Sequence, residues 1–390
     1  MTPAARVQTS IELLDAIIAA ALSKGAPADR ILADWFRNNR FAGSKDRRAI
    51  REIVYAAIRA CGPVPENGRG AMLRLAEVDE SIAPLFDGSN YGPAAIGDSE
   101  QAARGGVAPD WLQERLAASD FLGEAAEALL HRAPLDLRVN TLKTDRATLE
   151  LPVEAEPTAA PHGLRIETGT PVEQWPAFRD GLIEVQDTGS QLACLAVAAR
   201  PGETIIDLCA GGGGKTLALA AVMDNLGRLI ASDTDRGRLS RLAPRATRAG
   251  AANIETILLD PQKELDALEA YVGKADAVLI DAPCSGTGTW RRNPEARWRL
   301  DEKELARLTK IQSYLLDIAA KLIKPGGRII YVTCSLLDEE GAGQFDAFLG
   351  RHEGLRAVEP NLPLGRNRGK GMRLTPFHDS TDGFFIACAG

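Results

Sequence analysis

The chain of 390 residues has little metal-binding material. It carries four histidines (His131, His162, His352 and His378) and six cysteines, none in C-x-x-C spacing. A structural zinc site draws its ligands from such short-range pairs, so no metal site is expected. No apolar run nears the roughly 20 residues of a membrane span. No apolar signal core follows Met1-Thr2-Pro3-Ala4-Ala5-Arg6, so the chain reads as cytoplasmic, with no membrane partner. Its length and that compartment also argue against a disulfide framework. There is no internal repeat or low-complexity tract. Basic charge is not in excess either: 46 Lys and Arg face 53 Asp and Glu, a net of −7. A globally basic nucleic-acid binder is excluded, although a local footprint is not.

Local basic clusters are present. Arg366, Arg368, Lys370 and Arg373 form one; Arg236, Arg238, Arg241, Arg245 and Arg248 a second; Arg291, Arg292, Arg297 and Arg299 a third. A single cluster reads as a solvated face. Three in the half of the chain that carries the chemistry point to a polyanion.

The length suits two or three domains. The first third is helical by periodicity. Ile11, Leu14, Ile18 and Leu22 make one stripe, which Ser10 is placed to cap, and Ile31, Leu32, Trp35 and Phe36 a second. A third follows a turn and a basic helix start at residues 41–48. Short strands are expected between residues 135 and 185, separated by a proline- and glutamate-rich loop. From Gly202 onward, strands at 204–209, 228–232, 254–259, 275–280 and 327–333 alternate with helical stretches, with a terminal pair at 355–358 and 384–388. Such alternation implies a mostly parallel sheet covered on both faces. The expected division is 1–132, 133–186 and 187–390.

The first of these strands runs into Asp207-Leu208-Cys209-Ala210-Gly211-Gly212-Gly213-Gly214-Lys215-Thr216. Four glycines strip the turn of Cβ atoms and bring a ligand to the backbone at a helix start. Asp233 ends the next strand, where an acid binds the ribose of a nucleoside cofactor. Asp260 ends the third and would face an adenine edge. A phosphate-binding loop would need glycine where Cys209 stands. A donor such as S-adenosylmethionine fits better, because Asp233 would repel a phosphate. Cys209, Ala210, Gly211, Gly212, Gly213, Gly214, Lys215, Asp233, Asp260 and Asp281 are the candidate cofactor residues.

Two further strands end in cysteine, at Asp281-Ala282-Pro283-Cys284 and Thr333-Cys334. In an open α/β sheet, ligands bind beyond the carboxyl ends of the strands. Two thiols at that edge suit covalent chemistry on cytosine. Carbon 5 of cytosine is a poor nucleophile until a thiolate adds at carbon 6, and Asp281 suits the N3 position. About 3% of a free cysteine is thiolate at pH 7, and lowering its pKa by about 1.5 units takes roughly 2 kcal/mol. For Cys334 a helix beginning at Ser335 is the expected source of that stabilisation. The glycine-rich loop after Cys284 suits a residue that assists release.

These motifs resemble those of the RNA cytosine-5 methyltransferases of the RsmB (Fmu/Sun)–Nop–NSUN family, the bacterial RsmB branch most closely. Gln186-Asp187-Thr188-Gly189-Ser190-Gln191 and Arg138-Val139-Asn140 carry the likeness upstream. The resemblance implies Cys334 as nucleophile, Cys284 in product release, and Lys215 as an active-site lysine. It implies S-adenosylmethionine as cofactor and ribosomal RNA (16S) as substrate, with no obligate protein partner. The implied fold is a Rossmann-like class I methyltransferase domain with a mostly parallel seven-stranded sheet. To this are added a small α+β lobe like an RNA-recognition motif and an all-α NusB-like N-terminal domain. Arg40, Lys45, Arg47, Arg48 and Arg51 of that domain would contact phosphates. Two alternatives stand beside this reading. A DNA cytosine-5 methyltransferase would promote Cys284 to nucleophile, and an RNA-binding assembly factor would have no catalysis.

Overall fold

The computed structural model describes residues 1–390. Its contacts divide the chain into two bodies. One joins Met1–His131 to the distant segment Thr289–Asp301, and the other holds Arg132–Gly288 and Glu302–Gly390. The segment Thr289–Asp301 therefore packs outside the 187–390 unit to which linear reading assigned it.

The first body is helical. Its main helices are Pro3–Leu22, Ala28–Asn38, Ser44–Ala60 and Gly68–Val78. The first starts at Pro3 because proline is preorganised for a first helical position and lacks only a donor that would be orphaned there. The Thr2 hydroxyl accepts from the Ala5 N–H at 3.1 Å. Ser10 is not a cap; it lies inside this helix, and its hydroxyl donates to the Arg6 carbonyl. Leu14, Ile17, Leu32, Ile50, Val54, Ile58 and Met72 build the core. The stripe stops short of Leu22, which is exposed. Trp298 joins this core. Beside it Arg297, fully buried, donates to the carbonyls of Pro294, Ile58 and Cys61 at 2.6–2.7 Å. Arg299 donates to the carbonyls of Gly25 and Ala26. Two arginines of the third basic cluster thus hold backbone carbonyls, a role that a charge count does not reveal.

The second body contains two sheets. The smaller is antiparallel, with strands β1 (Leu135–Val139), β2 (Glu156–Pro157), β3 (Gly163–Ile166) and β4 (Ile183–Val185) in the order β2-β3-β1-β4. Leu137, Val139, Leu164, Ile166, Trp175 and Ile183 form its core. The larger sheet takes β5 (Thr204–Asp207), β6 (Arg228–Asp233), β7 (Ile254–Leu258), β8 (Ala275–Asp281), β9 (Ile323–Thr333), β10 (Ala357–Val358), β11 (Arg366–Arg368), β12 (Gly371–Leu374) and β13 (Phe384–Ala389). Its order is β11-β12-β13-β9-β8-β5-β6-β7, with β10 against β13. Strands β5 to β9 run parallel, and their central members read as apolar runs because helices cover both faces. This is an α/β Rossmann-like architecture.

The sheet has nine strands rather than seven. The expected pairing of 355–358 with 384–388 is present as β10 with β13. Strands β11 and β12 escaped notice because their arginines read as a solvated cluster. In the structure Arg368 and Arg373 both pair with Asp338, and Lys370 pairs with Asp346. The chain turns one way from β5 to β6 and β7, and the other way to β8 and β9. That reversal opens a crevice at the carboxyl ends, where such folds bind ligands.

Candidate active site

β5 delivers Asp207 to this edge, followed by the glycine turn. Gly211 and Gly213 adopt φ of 56° and 81°, in the left-handed region that favours glycine. A Cβ on Gly213 would collide with Leu242. At Gly214, where the helix Gly214–Val222 begins, a Cβ would meet nothing within 4 Å. The turn is therefore closed behind and open in front, as a cofactor cradle requires. Asp233, at the end of β6, braces it: one carboxylate oxygen accepts from the Gly211 N–H and the other from the Asp235 N–H, each at 2.8 Å. Arg245 donates to the Gly212 carbonyl at 2.6 Å and, with Arg248, pairs with Glu184 of β4. Part of the second basic cluster thus holds the turn.

Asp260 stands apart. β7 ends at Leu258, so Asp260 lies in the loop beyond it and is exposed. Cys209 lies in the turn, with burial pushing its thiol well up from the ordinary value and Asp233 and Asp207 adding to the rise.

Lys215 and Asp281 meet across the β5–β8 junction at 2.6 Å. Burial alone would push the Lys215 ammonium down. The Asp281 carboxylate overcomes this and holds it above its usual range, and Cys194 and Cys334 count among its other neighbours. Lys215 also lies 5.7 Å from the Phe384 ring centroid. Behind this pair, Asp207 is fully buried. Thr216 donates to one of its oxygens at 2.7 Å while the other has no partner. Burial pushes its pKa up to about 7, against the pull of the Thr216 hydrogen bond, with Asp281 adding to the rise.

The two cysteines converge. Cys284 Sγ and Cys334 Sγ are 3.3 Å apart, and both are half-buried. The helix expected at Ser335 is absent. Residues 335–341 form loop and turn, and the next helix is Ala342–Arg351. The reason lies in the side chains. Asp338 turns out to Arg368 and Arg373, while Glu340 turns inward and the Ser335 hydroxyl donates to it. The helix dipole expected behind Cys334 is therefore absent.

Sequence reading placed Glu340 with Asp338 and Glu339 in the expected helix start, as acids that would oppose a Cys334 thiolate if they pointed inward, and gave it no site role. It is fully buried. Its Oε1 accepts from the Ser285 N–H and from Gln312 Nε2, both at 2.9 Å. Its Oε2 accepts from the hydroxyls of Ser285 and Ser335. A glutamate six residues past a strand-end cysteine gives no periodic signal. The adjacent acids at 338–340 looked like a solvated helix start.

Comparison with known proteins shows the family of the chain. Residues 194–389 match the family described as 16S rRNA methyltransferase RsmB/F. Probable ribosomal RNA small subunit methyltransferase B of Synechocystis is 36% identical over 296 residues, covering 72% of this chain and 66% of that protein. Ribosomal RNA small subunit methyltransferase B of Sodalis glossinidius is 34% identical over 303 residues, covering 76% and 68%. The chain belongs to the RsmB/F methyltransferase family. This family member spans about two thirds of the length of the curated relatives it matches. The crystal structure of PH0851 superposes with a TM-score of 0.79 at 27% identity, covering 100% of the RsmB/F chain described here and 99% of that one. The matched segment contains the glycine turn, Lys215, Asp233, Asp281 and both loop cysteines. No helix of this RsmB/F protein is long and apolar enough to cross a membrane.

Proposed function

We propose that the protein is an S-adenosylmethionine-dependent RNA cytosine-5 methyltransferase whose substrate is ribosomal RNA, with Cys334 as nucleophile. The observation that carries this reading is the 3.3 Å approach of Cys284 and Cys334, beside the Lys215–Asp281 pair and the glycine turn. The relatives' printed names supply the RNA class. The turn Cys209–Lys215, with Asp233, holds the cofactor. When bound, S-adenosylmethionine supplies an electrophilic methyl group on a sulfonium. Asp260, exposed beyond β7, would border it.

The Cys334 thiolate adds to carbon 6 of a cytosine turned out of its stack, because carbon 6 is inaccessible within a helix. Addition makes carbon 5 nucleophilic and builds negative charge on the ring. A proton from the Lys215 ammonium, relayed by Asp281, passes to N3 and offsets that charge. After carbon 5 takes the methyl group, its proton passes to water and the N3 proton returns through Asp281 to Lys215. The electrons of that C–H bond re-form the ring double bond and expel Cys334 as thiolate. Cys284 assists this second half. Exposed basic side chains of the helical body, Arg40, Lys45 and Arg48 among them, supply phosphate contacts.

The test is methyl transfer from labelled donor to small-subunit ribosomal RNA, with duplex DNA as the competing acceptor. The reading expects label on RNA, located at carbon 5 of cytosine, and none with Cys334→Ala. Full activity in Cys334→Ala, or a preference for DNA, would overturn it.

A further inference from the structure

The helical body carries one aromatic ring well outside its core. Between the helices Ala28–Asn38 and Ser44–Ala60 the chain turns through Asn39-Arg40-Phe41-Ala42-Gly43. The turn is held in place. Ala42 is buried, Arg47 Nε donates to its carbonyl at 2.8 Å, and the Asn39 side chain donates to the Trp35 carbonyl at 2.9 Å. Phe41 is 69% exposed, more than any other phenylalanine or tryptophan of the chain. Its ring contact is with Trp35, edge-on at 6.1 Å.

A lone exposed ring carries no message. This one stands among cations that lack acids. From Arg37 to Arg51 there are six basic side chains and a single acid, Asp46. Asp46 is buried and spent elsewhere: it accepts from Arg6 Nε at 2.8 Å and from the Met1 amino group at 3.3 Å. Arg37 pairs with Asp34, and Arg48 reaches Glu52 only at 3.8 Å. Arg40, Lys45 and Arg51 are exposed and make no ion pair. Arg47 and Arg51 lie 5.8 and 5.7 Å from the centroid of the Phe36 ring, which meets Trp35 edge-on at 5.5 Å. Rings and cations thus share one side of the helical body.

Unpaired cations call for phosphates, and an exposed ring among them calls for the face of a base. A duplex hides its base faces in the stack, whereas a single strand presents them. We propose that the turn Asn39–Gly43 is a single-strand RNA site, with a base stacked on Phe41 and the flanking phosphates on Arg40 and Lys45. That the strand is ribosomal RNA rests on the reading in the preceding section. The basic side chains alone would grip any phosphate backbone, paired or not. The ring makes the site select an unpaired stretch of a folded RNA.

Fluorescence anisotropy tests this without methyl donor. The probe is a labelled, unstructured RNA of about 12 nucleotides, within the span of such sites. Phe41→Ala should weaken binding roughly five- to hundredfold, the range for losing one stacked base, and Phe41→Trp should restore it. Phe41→Ala keeps every charge, so its slope of log Kd against log salt should match that of the unmutated protein. Arg40→Gln and Lys45→Gln should each lower that slope by about 0.7, the value for one phosphate on a single strand. An RNA duplex of the same sequence should bind Phe41→Ala and the unmutated protein alike. Unchanged single-strand affinity in Phe41→Ala would overturn the proposal. So would equal losses on single strand and duplex, or full restoration by Phe41→Leu, which fills space without a π face. Slopes unchanged in both Arg40→Gln and Lys45→Gln would also overturn it, and these variants leave the ring and its packing alone. Failure of the methyltransferase reading shows separately, as absent methyl transfer by the unmutated protein, and does not alter these affinity ratios.

Discussion

The loops after β8 and β9 end in the same residue type, yet they are built differently. The β8 loop is pinned by a buried acid: Ser285 gives that acid a backbone and a side-chain donor, and Gln312 holds the Pro283 carbonyl from behind. The β9 loop continues directly from a buried strand, with Val332 and Thr333 fully covered and Cys334 at the rim of the crevice. The same acid also accepts from Ser335, so it holds the residue after each cysteine, with Ser285 giving two donors and Ser335 one. The contrast teaches that two thiols in hydrogen-bonding contact need not be interchangeable.

The strongest way to break the contrast is to delete each sulfur in turn. Cys334→Ala should abolish methyl transfer, a loss of at least about 10³-fold, since it removes the activated nucleophile. Cys284→Ala should leave attack intact but block release, so that a denaturant-stable protein–RNA adduct accumulates on gels. If both variants behave alike, the two loops do not differ in role. Next in size is removal of the charge on the Cys334 side. Lys215→Met should cut kcat by about 10²-fold, the scale of losing one preorganised electrostatic contact. Single-turnover rates measured at saturating donor would show the loss in chemistry rather than in cofactor affinity.

The smallest effect concerns a second buried acid, Asp207, which differs from Glu340 in having one carboxylate oxygen without a partner. Its folded-state pKa, pushed up to about 7, lies above the unfolded value of 3.8. The folded protein therefore binds the extra proton between those limits. Stability is greatest at the acid end of that window and falls as pH rises through it, by at most about 1.4 kcal/mol per pH unit. Asp207→Asn removes this term, so its thermal midpoint should decline less between pH 5 and pH 7 than that of the unmutated protein. Identical slopes would show that Asp207 is ionised throughout.

Much of this was legible in the residues alone. Strand-end placement of Asp207, Asp233, Asp281, Cys284 and Cys334 followed from apolar runs that each stop at a polar side chain. The run of four glycines, two of them in left-handed backbone, announced the turn. What escaped notice depends on contacts between distant segments. Glu340 owes its role to Ser285, 55 positions earlier, and no local pattern records that. Arg297 and Arg373 looked like surface charge because an arginine beside other arginines reads as solvated, whereas each is buried against carbonyls or a carboxylate. The helix expected after Cys334 failed for the same reason. Local propensity favoured it, and tertiary demands on Asp338 and Glu340 prevailed.

The central claim is that Cys334, and not Cys284, bonds to the base. RNA bearing 5-fluorocytosine traps the bond, because fluorine at carbon 5 cannot leave as a proton does. Proteolysis and mass spectrometry of the trapped complex should place the nucleotide on the peptide containing Cys334 and leave Cys284 unmodified. A nucleotide on Cys284, or no covalent complex at all, would contradict the account.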